Sequence, residues 1–184
     1  MYVPSGEPVV FQRNCPAVVI PAGDTGTIPA GAEGVLTQAL GGSYTIYLQG
    51  YLFRIDGIHA DAIGKEPPQL PELPANASDE DVEQLIWQQM ATCFDPEIPV
   101  NVVDLGLIYR CDIDKDGEGR RHVDVDMTLT APGCGMGDIL AHDIRVKVEM
   151  VPTVADAQVN LVFTPPWSRE MMSEAAQLQV GMFY

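Results

Sequence analysis

The chain has 184 residues, enough for one domain with a sizeable core or two small ones, and its composition, 46% apolar and 20% charged, is that of a globular protein. Ten basic residues face 26 acidic ones, a formal net charge of −16, and a field of that sign repels phosphate backbones and anionic lipid, so neither nucleic acid nor a membrane is an expected partner. No apolar run reaches the roughly 18 residues of a membrane span, and MYVPSGEPVVF lacks the basic-then-apolar pattern of a secretory leader, so the expected location is the cytoplasm.

From the N-terminus, short apolar pieces alternate with turn signals. PAVVI, GVLTQAL, SYTIYL and YLFRI are separated by PAGDTGTIPAG, GG and QG. This spacing predicts four to six strands of a small all-β, barrel-like domain over residues 1–64. Ser43 to Leu48 alternates, with Tyr44, Ile46 and Leu48 on one side, and the flanking GG and QG predict hairpin turns. Around 60 residues make a marginal fold alone, so docking on the rest of the chain is expected. Four prolines in GKEPPQLPELPANA then predict an extended linker over 65–77.

Residues 78–184 read as an α+β domain of order α-β-β-α-β-α, helices on one side of a sheet. Ser78 has the position of an N-cap, with Asp81 at capping-box spacing and Val82, Leu85, Ile86, Gln89 and Cys93 at helical spacing. FDPEIPVNVVDLGLIY is a proline-bounded loop running into a strand near 105–113, and KDGEG is a hairpin loop. HVDVDMTLT alternates, Val123, Val125, Met127 and Leu129 on one side, Asp124, Asp126, Thr128 and Thr130 on the other. A helix is predicted over 137–150, a strand over 157–164, and a last helix capped by Ser168 and ending near Gly181.

TAPGCGMGD raises the chemical question. Cys134 stands between two glycines, after a strand pattern and before a helical one. The thiolate is the reactive and metal-binding form of cysteine, and a helix start favours an anion. The opposing reading is a small residue filling a tight turn, in an acidic field that raises a thiol pKa. Thr130 lies at the preceding strand end. Asp95, Glu97 and Asp104 are carboxylates able to bind a hard cation, work as an acid–base pair or cap turns; for Asp95, before a proline, capping is the leading reading. Trp167, after two prolines, is either core or a partner-binding anchor, and Met171 either core or adaptable contact surface. Cys15, Cys93, Cys111 and Cys134 are too widely spaced to suggest a disulfide framework or a self-contained metal site. No GxSxG, HExxH or Walker loop occurs, so no standard catalytic motif is present.

DPEIPVNVVDLGLIY, the strand ending MTLTAPGCGMGDIL, and VNLVFTPPWSREMMSEAAQLQVGMF together resemble the metal–sulfur cluster assembly factor family, in order and spacing, over about residues 78–184. ALGGSYTIYLQGYLFRIDGIHADAIGKEP extends the resemblance to its bacterial two-domain members. The resemblance implies an iron–sulfur cluster assembly-like fold and an accessory role in cluster maturation or transfer, without a turnover reaction. It places the family's reactive cysteine on Cys134, its threonine on Thr130 and its acidic loop on Asp95, Glu97 and Asp104. The second hydroxyl residue of many members is Ala131 here, which leaves Thr128 as the other hydroxyl of a pocket.

A cluster needs about four thiolate or equivalent ligands, and one cysteine gives one. No tightly bound cofactor is expected. A transient cluster on Cys134 needs ligands from a second copy in a homodimer, from a recipient apo-protein or from a small thiol. The expected partners are the assembly machinery and recipient apo-proteins. The competing readings are a thiol-dependent enzyme using Cys134 and an adaptor that never contacts a cluster.

Overall fold

The computed structural model describes residues 5–95, 98–131 and 136–181. The chain divides into two compact units, Met1–Gln69 and Leu70–Tyr184. The boundary lies within the proline-rich stretch, where residues 65–78 form neither helix nor strand.

The first unit is one antiparallel sheet of six strands: β1 (Glu7–Val10), β2 (Cys15–Ile20), β3 (Thr25–Ile28), β4 (Glu33–Leu40), β5 (Ser43–Leu48) and β6 (Tyr51–Asp56), in the order β1-β4-β5-β6-β2-β3. Every strand feeds one core: Val9, Cys15, Ala17, Ile28, Leu36, Ile46, Leu48 and Ile55 are all buried in it. A sheet can do this only by curling over its own inner face. A 3-10 helix, Gly57–Ile63, adds Ala62 and Ile63 to the same core. One expectation needs correction. TGTI, read as part of a turn, is β3, because Thr25 and Thr27 face outward while Ile28 packs inward.

The second unit has α1 (Asp79–Met90), β7 (Ile108–Lys115), β8 (Arg121–Met127), α2 (Gly137–Glu149), β9 (Val154–Leu161), a 3-10 turn (Arg169–Met171) and α3 (Glu174–Gly181). Its sheet order is β7-β8-β9, with β7 antiparallel and β9 parallel to β8. The parallel pair requires a crossover, which α2 supplies. The Ser78–Asp81 capping box closes in both directions: the Asp81 N–H donates to Ser78 Oγ (3.1 Å) and the Ser78 N–H to Asp81 Oδ2 (2.7 Å). Val82, Ile86 and Met90 of α1 and Leu140, Ile144 and Val148 of α2 pack with Val123, Val125 and Met127 of β8. Asp124 and Asp126 take the other face, so the alternation in HVDVDM reads as layers: helices on one side, an open polar face on the other.

Three boundaries differ from expectation. β7 starts at Ile108 because Gly106, at φ +70°, turns the chain first. β9 starts at Val154, directly after Thr153 at φ +76°, and ends at Leu161. Ser168 opens only the three-residue 3-10 turn; the cap of α3 is Ser173, whose Oγ accepts the Ala176 N–H (3.1 Å).

Candidate functional site at the C-terminal end of β8

Cys134 and Glu97 lie outside the described residues, and with them the centre of the predicted cysteine loop. The structure does place the frame. A run of backbone bonds crosses the end of the sheet: the Val102 N–H donates to Cys93 O, the Leu107 N–H to Val102 O, and the Thr128 N–H to Leu107 O. The segments carrying Asp95, Asp104 and Thr128 are thereby joined at the end of β8 from which the chain leaves toward Cys134.

The alternation of β8 assigns Thr128 to the same face as the half-buried Asp126. The strand ends at Met127, however, and Thr128 is 1% exposed. Its Oγ1 is buried with no hydrogen-bond partner among the described residues. Thr130, two residues on, is half-buried. A buried unsatisfied hydroxyl costs about 1–3 kcal/mol, so Thr128 is the one group here that the fold itself does not account for.

The two described carboxylates serve their own loop. Asp95 is buried, and its Oδ1 accepts the Ile98 N–H (2.9 Å), the turn cap expected before a proline. Asp104 Oδ2 accepts from Asn101 Nδ2 (2.6 Å), while Asn101 Oδ1 accepts the N–H groups of Val103 and Asp104. Asn101 thus positions Asp104. Sequence reasoning missed it, although an Asn three residues before an Asp in VNVVDL is a legible Asx-turn signal.

A C-terminal strap fastens this loop from outside. The Trp167 indole N–H donates to Leu105 O (2.8 Å), Tyr109 Oη donates to Pro165 O (2.9 Å) and to Met171 Sδ (3.4 Å), and the Ser173 N–H donates to Asp104 O (2.8 Å). Gln179 Nε2 donates to Pro99 O (3.0 Å). Gly106 is required here, since a Cβ at that position would lie 2.2 Å from Met171 O. Trp167 also packs against the core of the unit. Trp167 and Met171, the candidate partner anchors, are therefore both engaged within their own fold.

The other cysteines are packing groups. Cys15 and Cys93 are buried, and Cys111 is half-buried on β7. Burial, then the Glu83 and Asp112 charges, push the Cys111 thiol up to about 11, and burial raises Cys15. Both stay protonated at neutral pH. Among the described residues no group of three or more His, Cys, Asp or Glu could hold a metal ion, and no helix is long and apolar enough to cross a membrane.

Residues 83–180 match the family described as Iron-sulfur cluster assembly protein. The chain belongs to that family. A Porphyromonas gingivalis relative, named Fe-S protein maturation auxiliary factor, is 48% identical over 54% of this chain and 90% of its own length. The Staphylococcus aureus Fe-S protein maturation auxiliary factor SufT is 38% identical over 48% of this chain and 96% of its own. A solved structure, a DUF59 domain of unknown function from Bacillus anthracis, is 34% identical over 56% of this chain and 94% of its own, with a TM-score of 0.49. Each relative covers about half of this chain, and the family match starts at residue 83, so the six-stranded unit lies outside it.

Proposed function

We propose that this member of the iron–sulfur cluster assembly family is an accessory factor that helps clusters mature on, or reach, recipient apo-proteins in the cytoplasm, with no turnover reaction of its own. The observation that carries this reading is the family match over residues 83–180, with relatives named as maturation auxiliary factors. The working group is the Cys134 thiolate, with Thr130, Thr128, Asp95, Glu97 and Asp104 as its supporting residues. The partnerless Thr128 hydroxyl supports that assignment, because a hydroxyl held dry at the strand end before the cysteine loop is explained if cargo or thiol uses it. One cysteine supplies one of about four cluster ligands. The remainder come from a recipient, a second copy or a small thiol. Such a ligand-poor site binds transiently, as a carrier that must release its cargo requires.

The test is anaerobic. The full chain is mixed with a loaded cluster donor, and absorption, iron content and mass are recorded for wild type and Cys134→Ser. Cluster gained by wild type alone supports a carrier. Equal behaviour of both proteins, with cluster-enzyme maturation intact in cells carrying Cys134→Ser, shifts the role to an adaptor. Turnover of a small electrophile by wild type alone makes the chain a thiol enzyme instead.

A further inference from the structure

β9 is an edge strand. Among the described residues it pairs with β8 only; it runs eight residues and contains neither proline, lysine nor arginine. Edges of that length are normally blunted by such residues or covered. The direction of its free groups can be read from two bonds. The Val162 N–H donates inward to Met127 O, while the Ala157 N–H turns outward to Glu149 Oε1 (3.3 Å). Odd-numbered residues therefore present N–H and C=O to the outside. Their side chains, Ala157, Val159 and Leu161, are all apolar, whereas Asp156, Gln158 and Asn160 between them are all polar.

Beside this edge α2 forms one wall of a cleft of about 480 Å³, lined by Asp138, Ala141, His142 and Arg145 against residues 156–159. α2 runs antiparallel to β9: Gly137 at its start lies against Leu161, and Glu149 at its end reaches Ala157. Asp138 and Arg145 are seven residues apart, about 10 Å along the helix, with the small Ala141 between them. Arg145 meets only His142 Nδ1 (3.3 Å) and has no carboxylate partner among the described residues.

We propose that this edge is the interface of a two-fold dimer in which β9 pairs antiparallel with β9 of a second copy, centred on Val159. The occupant follows from self-complementarity. A two-fold axis at Val159 sets Ala157 opposite the partner's Leu161 and Gln158 opposite the partner's Asn160, apolar on apolar and polar on polar. It also turns one α2 end for end against the other, so Arg145 comes alongside the partner's Asp138, twice. Glu149 covers the Ala157 N–H in the single chain and gives it up to the partner's Leu161 O. The register of β8 with β9 pairs Val125 with Val159. The C-terminal ends of the two β8 strands then point away from the axis, with the Thr128 positions about 20 Å apart along the strands. The dimer holds two separate sites and does not depend on cluster binding.

The experiment is sedimentation velocity on the full apo chain over a concentration series. Wild type is expected to associate to a dimer. Arg145→Asp, a change on an exposed helix face, should weaken association at least about tenfold by placing like charges together twice. Asp138→Arg/Arg145→Asp should restore it, which a loss of folding could not do. Val159→Pro removes an outward N–H while keeping the bonds to β8 and should also give monomers, and Glu149→Ala should favour the dimer. A chain that stays monomeric throughout, or a dimer indifferent to Arg145→Asp and Val159→Pro, overturns the proposal. The cluster assay with Cys134→Ser reads the other reading independently.

Discussion

The two ends of β8 are built on opposite principles. At its start every polar group is matched. The buried Arg121 guanidinium holds Asp79 and donates to Thr153 Oγ1 (2.6 Å), and the Arg121 N–H donates to Thr153 O (2.8 Å). His122 Nδ1 meets Asp156 Oδ2 at 2.7 Å, and Asp116 caps the β7–β8 hairpin by accepting the N–H groups of Glu118 and Arg120. At the far end Thr128 is as dry as Arg121 but has no partner among the described residues. A fold selected for stability alone would match both ends or fill the second with an apolar group. Under the proposed function, this mismatch is where the fold gives up stability for its task.

Four substitutions test that contrast. The largest effect is expected from Gly106→Ala. At φ +70°, with Met171 O 2.2 Å from the new Cβ, it should cost about 3 kcal/mol in urea unfolding and slow cluster transfer by moving the Asp104 loop. Arg121→Ala should cost about 2 kcal/mol through lost charge-assisted bonds, and leave transfer unchanged because it acts at the matched end. Thr128→Val, equal in shape, should act in the opposite direction, raising stability by about 1 kcal/mol while lowering transfer. If it destabilises, the hydroxyl has a structural partner and the contrast fails.

The smallest effect is a pH dependence at the matched end. Hydrogen bonding to Asp156, then to Asp116, raises the His122 pKa. Its contribution is complete below the unfolded value of about 6.5 and fades as pH rises through the folded value. His122→Gln should remove that slope from the melting temperature measured across the range. Asp116 is pulled down to about 2, chiefly by its backbone bond to Arg120. Its contribution is therefore present above about 4 and lost as pH falls toward 2.

Much of the frame was legible because local rules and packing agreed. Ser78 and Asp81 closed as written, and the alternation of HVDVDM became the two faces of β8. What failed was decided elsewhere in the chain. Thr128 continues the polar alternation, and its N–H still follows the β7–β8 register to Leu107 O, but nothing in the alternation tells that its side chain is buried. Ser168 has the chemistry of a cap, but it opens only the 3-10 turn Arg169–Met171, and Ser173, bonded to Asp104 O, starts the helix five residues later. Asp95 caps the Ile98 amide, the leading reading for an Asp before a proline, whereas Asn101, which holds Asp104, carries a weaker sequence signal.

The strap has a consequence for the order of events during synthesis. Asp104 and Leu105 are fastened by Ser173 and Trp167, and Pro99 by Gln179, all from the last quarter of the chain. A ribosome that has released α1, β7, β8 and the loop after it has delivered the acidic loop and the cysteine without the segment that fixes their frame. The sheet can form first. The frame is completed only when the end of the chain arrives, so a nascent or truncated protein carries its thiol before it has the means to position it.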